Sequence, residues 1–351
     1  MRRLFAFPAL LLLLSGAATA QSPRLVPIGS FGCADCTGPA LFSTIHALAI
    51  TADGAIIIAD DDRPLIRIFD ERGTYVRGFG RTGAGPGELR LPVGVGTMAR
   101  ELVVVDMRNQ RVTRYTTDGD VVSTHRLNGL PTLAAFPPQG GTPIIPLANF
   151  SGQELTLFRF RDDTLAAVLT VGAAEFPERP AVNFDLLGVA VAPDESFVVA
   201  DGIGAYRIIR FSADGERRSM IVRDIPRARY SAEEMRQLEE QRNRDIARTR
   251  ERVAAESRSA ARSFTPPPIR EERNFFSAGA LAFDEHGRLW VRVERGPLQA
   301  TTFDVFDASG RYLGEVRVQA RVGRFALGAG MLAGVTLDEL DLPRVMLWRV
   351  E

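Results

Sequence analysis

Lysine is missing from this chain of 351 residues, so all 43 basic residues are arginine, and 43 acidic residues bring the formal net charge to zero. A neutral chain gives no electrostatic reason to expect nucleic acid or an anionic membrane as partner. Histidine (3) and cysteine (2) are nearly as scarce. A catalytic zinc usually takes three protein ligands, often histidines, and His46, His125 and His286 are spread over three distant segments. No Gly-x-Ser-x-Gly elbow occurs, which removes the serine nucleophile of that type. The glycine-rich run Gly83 to Gly87 has no helix pattern after it, so the helix terminus that would hold a phosphate is missing. No apolar run reaches the ~20 residues needed to span a bilayer.

The N-terminus carries an address and not a fold. Arg2 and Arg3 precede an apolar stretch that runs to Leu14, and Ala18-Thr19-Ala20 supplies the small residues a signal peptidase accepts. Residues 1–20 are expected to be a cleaved secretory leader, with the mature protein in the periplasm or outside the cell. Removing them leaves 41 basic against 43 acidic residues.

What is abundant is a repeat. Thr51 to Gly80 and Ala99 to Leu127 each read as apolar run, turn, apolar run ending in Asp, charged gap, third run, and a Gly turn; their last turns, Gly73 and Gly119, lie 46 residues apart. That period predicts four-stranded units stacked radially into a β-propeller. Gly119 to Gly215 spans 96 residues, so a degenerate unit with IIPLANF (144–150) and ELTLFRF (154–160) lies between. Gly215 to Gly310 spans 95, of which residues 226–275 lack a strand pattern. Five blades follow, and Arg321 to Glu351 begins a sixth that ends at its third strand. LVPIGSFG (25–32) has no repeat before it, and is expected to complete that sixth blade and close the ring over residues 21–351. Unpaired sheet edges are thereby avoided.

At Arg81 to Gly94 (RTGAGPGELRLPVG), followed by LVVVD and NQRVTRY, the sequence resembles the NHL repeat. The resemblance implies an all-β, six-bladed, TolB-like secreted propeller. Its members include binding modules and a few lyases and hydrolases, so it does not choose between them.

Loops after second strands share one face of such a disc with the loops that join blades. Asp60, Asp106 and Asp201 recur at one repeat position there, as residues that hydrogen-bond their own turn do. Asp61, Asp62, Arg63, Arg108 and Asn149 depart from the repeat, and Asn183 and Asp185 precede an inner strand; these seven are the candidate ligand-binding residues. No cofactor is expected. The alternative is calcium held by Asp60, Asn149, Asn183 and Asp201, as in lactonase-like propellers, although His46 stands where such enzymes carry Glu. The expected function is a monomeric binding module for a protein, peptide or small molecule; the alternative is a metal-assisted hydrolase or lactonase.

Two features lie outside the repeat. Cys33 and Cys36 form a C-x-x-C pair, expected to be a disulfide in an exported chain. Within 226–275, Ser231 and Glu234 make a capping box and strong helix formers run to Arg262, so a helical arm is expected between the fourth and fifth blades. It reads equally as a solvated arm, a lid or a partner-binding element.

Overall fold

The computed structural model describes residues 22–32, 36–62, 65–149, 154–172, 175–176, 187–256, 271–277, 279–294 and 300–351. Six four-stranded antiparallel sheets form the ring. The chain opens with β1 (Leu25–Phe31). The first blade is β2 (Ile45–Ile50), β3 (Ile56–Asp60), β4 (Ile66–Phe69) and β5 (Tyr75–Phe79). The second is β6 (Pro92–Met98), β7 (Glu101–Asp106), β8 (Arg111–Tyr115) and β9 (Val121–Arg126). The third is β10 (Leu130–Pro131), β11 (Ile144–Asn149), β12 (Glu154–Arg161) and β13 (Thr164–Val171). The fourth is β14 (Leu187–Val191), β15 (Phe197–Asp201), β16 (Tyr206–Phe211) and β17 (Arg217–Arg223). Helix α1 (Ala232–Glu256) follows, then the fifth blade of β18 (Leu281–Phe283), β19 (Leu289–Val293), β20 (Thr301–Phe306) and β21 (Tyr312–Val318). The sixth sheet is β22 (Phe325–Gly328), β23 (Met331–Leu337), β24 (Pro343–Val350) and β1, in that spatial order.

Turn chemistry sets the repeat. Between third and fourth strands, Gly73, Gly119, Gly215 and Gly310 each donate an amide to the carbonyl three residues back, on Asp70, Thr116, Ser212 and Asp307. Asp70 and Asp307 also accept amides through their side chains, and Thr116 and Ser212 do so through their hydroxyls. Gly73 has φ +83 and lies under the Phe31 ring, where an added Cβ would sit 2.4 Å from Cδ1. Both conformation and space therefore require glycine. In the degenerate third blade the positive φ falls on Asp162.

The buried apolar clusters lie in the seams. Among the described residues six buried clusters occur, one between each pair of neighbouring blades. Ile56, Ile58 and Phe69 of the first blade pack on Ala333, Val345 and Leu347 of the sixth, and Phe31 lies 4.6 Å from Phe69 between ring centroids. Each fully buried aliphatic or aromatic side chain contributes about 1.5–3 kcal/mol, so the seams are what hold the blades side by side.

Candidate functional site

Inner strands begin, and second strands end, on the same face, called here the mouth face. Asp60, Asp106 and Asp201 end β3, β7 and β15 there, and each carboxylate is buried in hydrogen bonds. Asp60 accepts amides from Ser43, Thr44 and Asp61 and pairs with Arg67 at 3.2 Å. Asp106 accepts amides from Arg90, Leu91 and Asn109, together with the Asn109 side chain. Asp201 accepts the Ile203 amide. Asp60 and Asp106 tie the loop before an inner strand to the end of the second strand, and Asp201 accepts an amide of its own turn, structural roles.

Asp61 is different. Its Oδ1 lies 2.6 Å from His46 Nε2, with the carboxylate 48% exposed and the imidazole 17% exposed. A second-strand loop and an inner strand of the first blade thus meet at the central channel. Asp62 is exposed, and its backbone carbonyl accepts Arg67 Nη2 at 3.2 Å. Arg108 is exposed in the loop between β7 and β8 and makes no side-chain hydrogen bond or ion pair among the described residues. Asn149 is the last residue of β11. Arg63, Asn183 and Asp185 lie outside the described residues, as does Cys33; Cys36 is disulfide-bonded.

The channel holds a cavity of about 140 Å³, walled by inner-strand residues such as Leu48, Val95, Val189, Phe283 and Leu327 and by Phe136 from the segment after β10. Its far end is pinched: a Cβ on Gly328 would sit 2.9 Å from the Pro138 carbonyl oxygen and 3.2 Å from that of Ile50. Among the described lining residues only His46 and Arg324 are ionisable. Arg324, half-buried just before β22, was not singled out by sequence, where one arginine among 43 basic residues carries no signal. Its one cue is that it precedes an inner strand, much as His46 begins one. Burial, with the nearby Arg292 charge, holds the Arg324 guanidinium below its ordinary value.

The other histidines are elsewhere. His125 on β9 stacks edge-on against Phe160, and burial lowers its pKa, aided by the Arg114 charge. His286 lies in the turn between β18 and β19, on the opposite face from His46. Among the described residues no three His, Cys, Asp or Glu side chains converge in a way that holds a metal ion. Of the four oxygen donors considered for calcium, Asp60 and Asp201 are already occupied by their turns. Asn183 lies outside the described residues.

The arm is anchored on the mouth face. Ser231 and Glu234 form the reciprocal capping box, with Glu234 Oε2 2.8 Å from the Ser231 amide nitrogen. Glu234 also pairs with buried Arg273 at 2.6 Å, and Arg273 lies over the Tyr230 ring. Arg229 and Glu272 bridge the two stalks. Arg227 donates to the Ile203 and Gly204 carbonyls, and the Phe275 amide donates to the Gly202 carbonyl at 2.8 Å. Fully buried Phe276 packs 5.2 Å from Tyr206. Aromatic anchors at the end of the arm were legible only as the pair Phe275-Phe276. No described helix is long and apolar enough to cross a membrane.

Six four-stranded blades around an axial cavity define a six-bladed β-propeller. In agreement, the family model DUF5128, a 6-bladed beta-propeller, matches residues 37–141. No curated protein matches the sequence. Solved structures with the same fold include a protein from Bacteroides fragilis (12% identity, 95% of this chain and 97% of that one, TM-score 0.55). A DUF4221 family member from Bacteroides vulgatus is similar at 9% identity over 94% and 98%, TM-score 0.53. So is a gluconolactonase from Xanthomonas campestris, at 14% identity over 93% and 98%, TM-score 0.51. At such identities the likeness is one of fold.

Proposed function

We propose that this is an exported, monomeric, NHL-like and TolB-like binding module whose peptide or small-molecule ligand sits at the channel mouth. Residues 1–20 act as the leader, β1 closes the ring, and the arm of residues 226–275 is an insertion that flanks the ligand face. The observation that carries the reading is the His46–Asp61 pair at 2.6 Å, at the mouth of a cavity whose described lining side chains are apolar apart from His46 and Arg324. Pockets of this kind, apolar walls with a few convergent polar groups, are the usual form of a ligand site. Asp61, Asp62, Arg63, Arg108, Asn149, Asn183 and Asp185 supply the polar rim.

The likeness to a gluconolactonase fold supports the rival, a metal-assisted lactonase. Retention separates them. The mature chain and a His46→Ala/Asp61→Ala variant are exposed to a periplasmic extract, washed, and their bound small molecules identified by mass spectrometry. A molecule held by the parent, unchanged in structure, and lost from the variant is the expected result. Equal retention by both removes the mouth as the site, and metal-dependent hydrolysis of a lactone moves the protein to the rival class.

A further inference from the structure

Among the described residues the buried arginines have counter-charges. Arg67 has Asp60 at 3.2 Å, Arg159 has Glu195 at 3.8 Å and Arg273 has Glu234 at 2.6 Å. Arg292 on β19 donates to the Val322 carbonyl and the Ser277 hydroxyl and has Glu294 at 3.9 Å. Arg324 breaks this pattern: among the described residues its side chain has no hydrogen bond and no ion pair, yet it lines the axial cavity. A half-buried guanidinium with no counter-charge carries part of the desolvation cost of a fully buried one. Burial and Arg292 both act against its charged form, so an incoming anion would relieve an existing penalty.

The surroundings define what kind of anion fits. Guanidinium presents a planar fork matched to carboxylate or phosphate oxygens. The side chains of Leu48, Val95, Val189 and Leu327 stabilise an apolar body beside the guanidinium. An apolar cavity of about 150 Å³ takes a benzene-sized molecule, and this one measures about 140 Å³. His46 is already engaged by Asp61, which leaves Arg324 as the unpaired charge.

Building on the mouth-face reading above, we infer that Arg324 anchors a small monocarboxylate, its carboxylate on the guanidinium and its apolar body in the axial cavity. The test uses the full mature chain with benzoate and butyrate, benzamide as the uncharged analogue of benzoate, and phosphate, each at matched ionic strength. Calorimetric titration should give saturable binding of a carboxylate and at least about tenfold weaker binding of benzamide, because a charged acceptor bonds guanidinium more strongly than a neutral one. Arg324→Gln should lose the preference for acid over amide, and Arg324→Lys should keep part of it. No binding of either carboxylate up to about 10 mM, equal binding of acid and amide, equal or tighter binding of phosphate, or an undiminished preference in Arg324→Gln would each overturn the inference. Should Arg324→Gln fail to fold, the acid and amide comparison in the parent decides. The two readings fail separately. Loss of carboxylate preference with retention still dependent on His46 and Asp61 removes only the anchor, whereas benzoate binding that ignores the His46→Ala/Asp61→Ala variant removes only the polar rim.

Discussion

Leu25 lies directly opposite Val350, so that the first strand described in the chain pairs with the last. The pairing continues through Phe31 opposite Val345, with a bulge between Pro27 and Gly29. Phe31 then packs, tilted, against Phe69 in the seam with the first blade and covers Gly73. If this pairing closes the ring, deleting residues 25–32 should lower the melting temperature of the whole domain and not of one blade. The milder variant Phe31→Ala should cost about 2–3 kcal/mol, less than the 3–5 kcal/mol of a fully buried phenylalanine. An unchanged melting curve in the deletion would sink the closure role.

The arm should be separable from the ring, but only between its anchors. Arg227 and Phe275 bond the loop after β15, and Phe276 is part of a seam. Replacing residues 236–270 with a short Gly-Ser linker, which keeps the Glu234–Arg273 pair, should leave melting nearly unchanged, since loop length enters closure entropy only logarithmically. A replacement that extends through Phe276 should destabilise by several kcal/mol. Global unfolding of the shorter replacement would show that α1 belongs to the scaffold.

Two pairs of charges on one face are expected to behave in opposite ways. Asp60 and Arg67 are buried partners, and removing either leaves the other uncompensated, at about 3–5 kcal/mol. Chemical denaturation of Asp60→Ala measures this directly, and a loss below about 1 kcal/mol would contradict it.

Asp62 and Arg108 are exposed, so Asp62→Ala and Arg108→Ala should each change stability by under about 0.5 kcal/mol. Any loss should appear in ligand retention. Variants that melt early while retention persists would make both residues turn supports.

Cys36 is disulfide-bonded and the chain has 2 cysteines, so unreduced native protein should show no reactive thiol. Titration with a thiol reagent in denaturant, before and after reduction, checks the Cys33–Cys36 pairing. Two thiols before reduction would rule it out.

Much of the architecture was written locally. The turn positions Gly73, Gly119, Gly215 and Gly310 carry their own backbone requirement, and alternating apolar runs between them fix strands at a constant period. Recurrent Asp60, Asp106 and Asp201 satisfy amides within a few residues or one loop away, so their role follows from repeat position. The capping box at Ser231 and Glu234 is likewise a matter of three residues.

The axial cavity is another matter. His46 and Asp61 meet because a strand start and a strand end of one blade share a face, which the repeat makes legible. Arg324 became a candidate only when the ring brought the start of the last inner strand into a space otherwise lined by apolar side chains from the other blades. Its lack of a partner is a property of that assembled space and leaves no trace in the residues beside it. Local bonding chemistry and period, which act over a few residues, determined the blades; which charges stand unpaired at the axis was decided by contacts between segments hundreds of residues apart, and only the tertiary structure holds those.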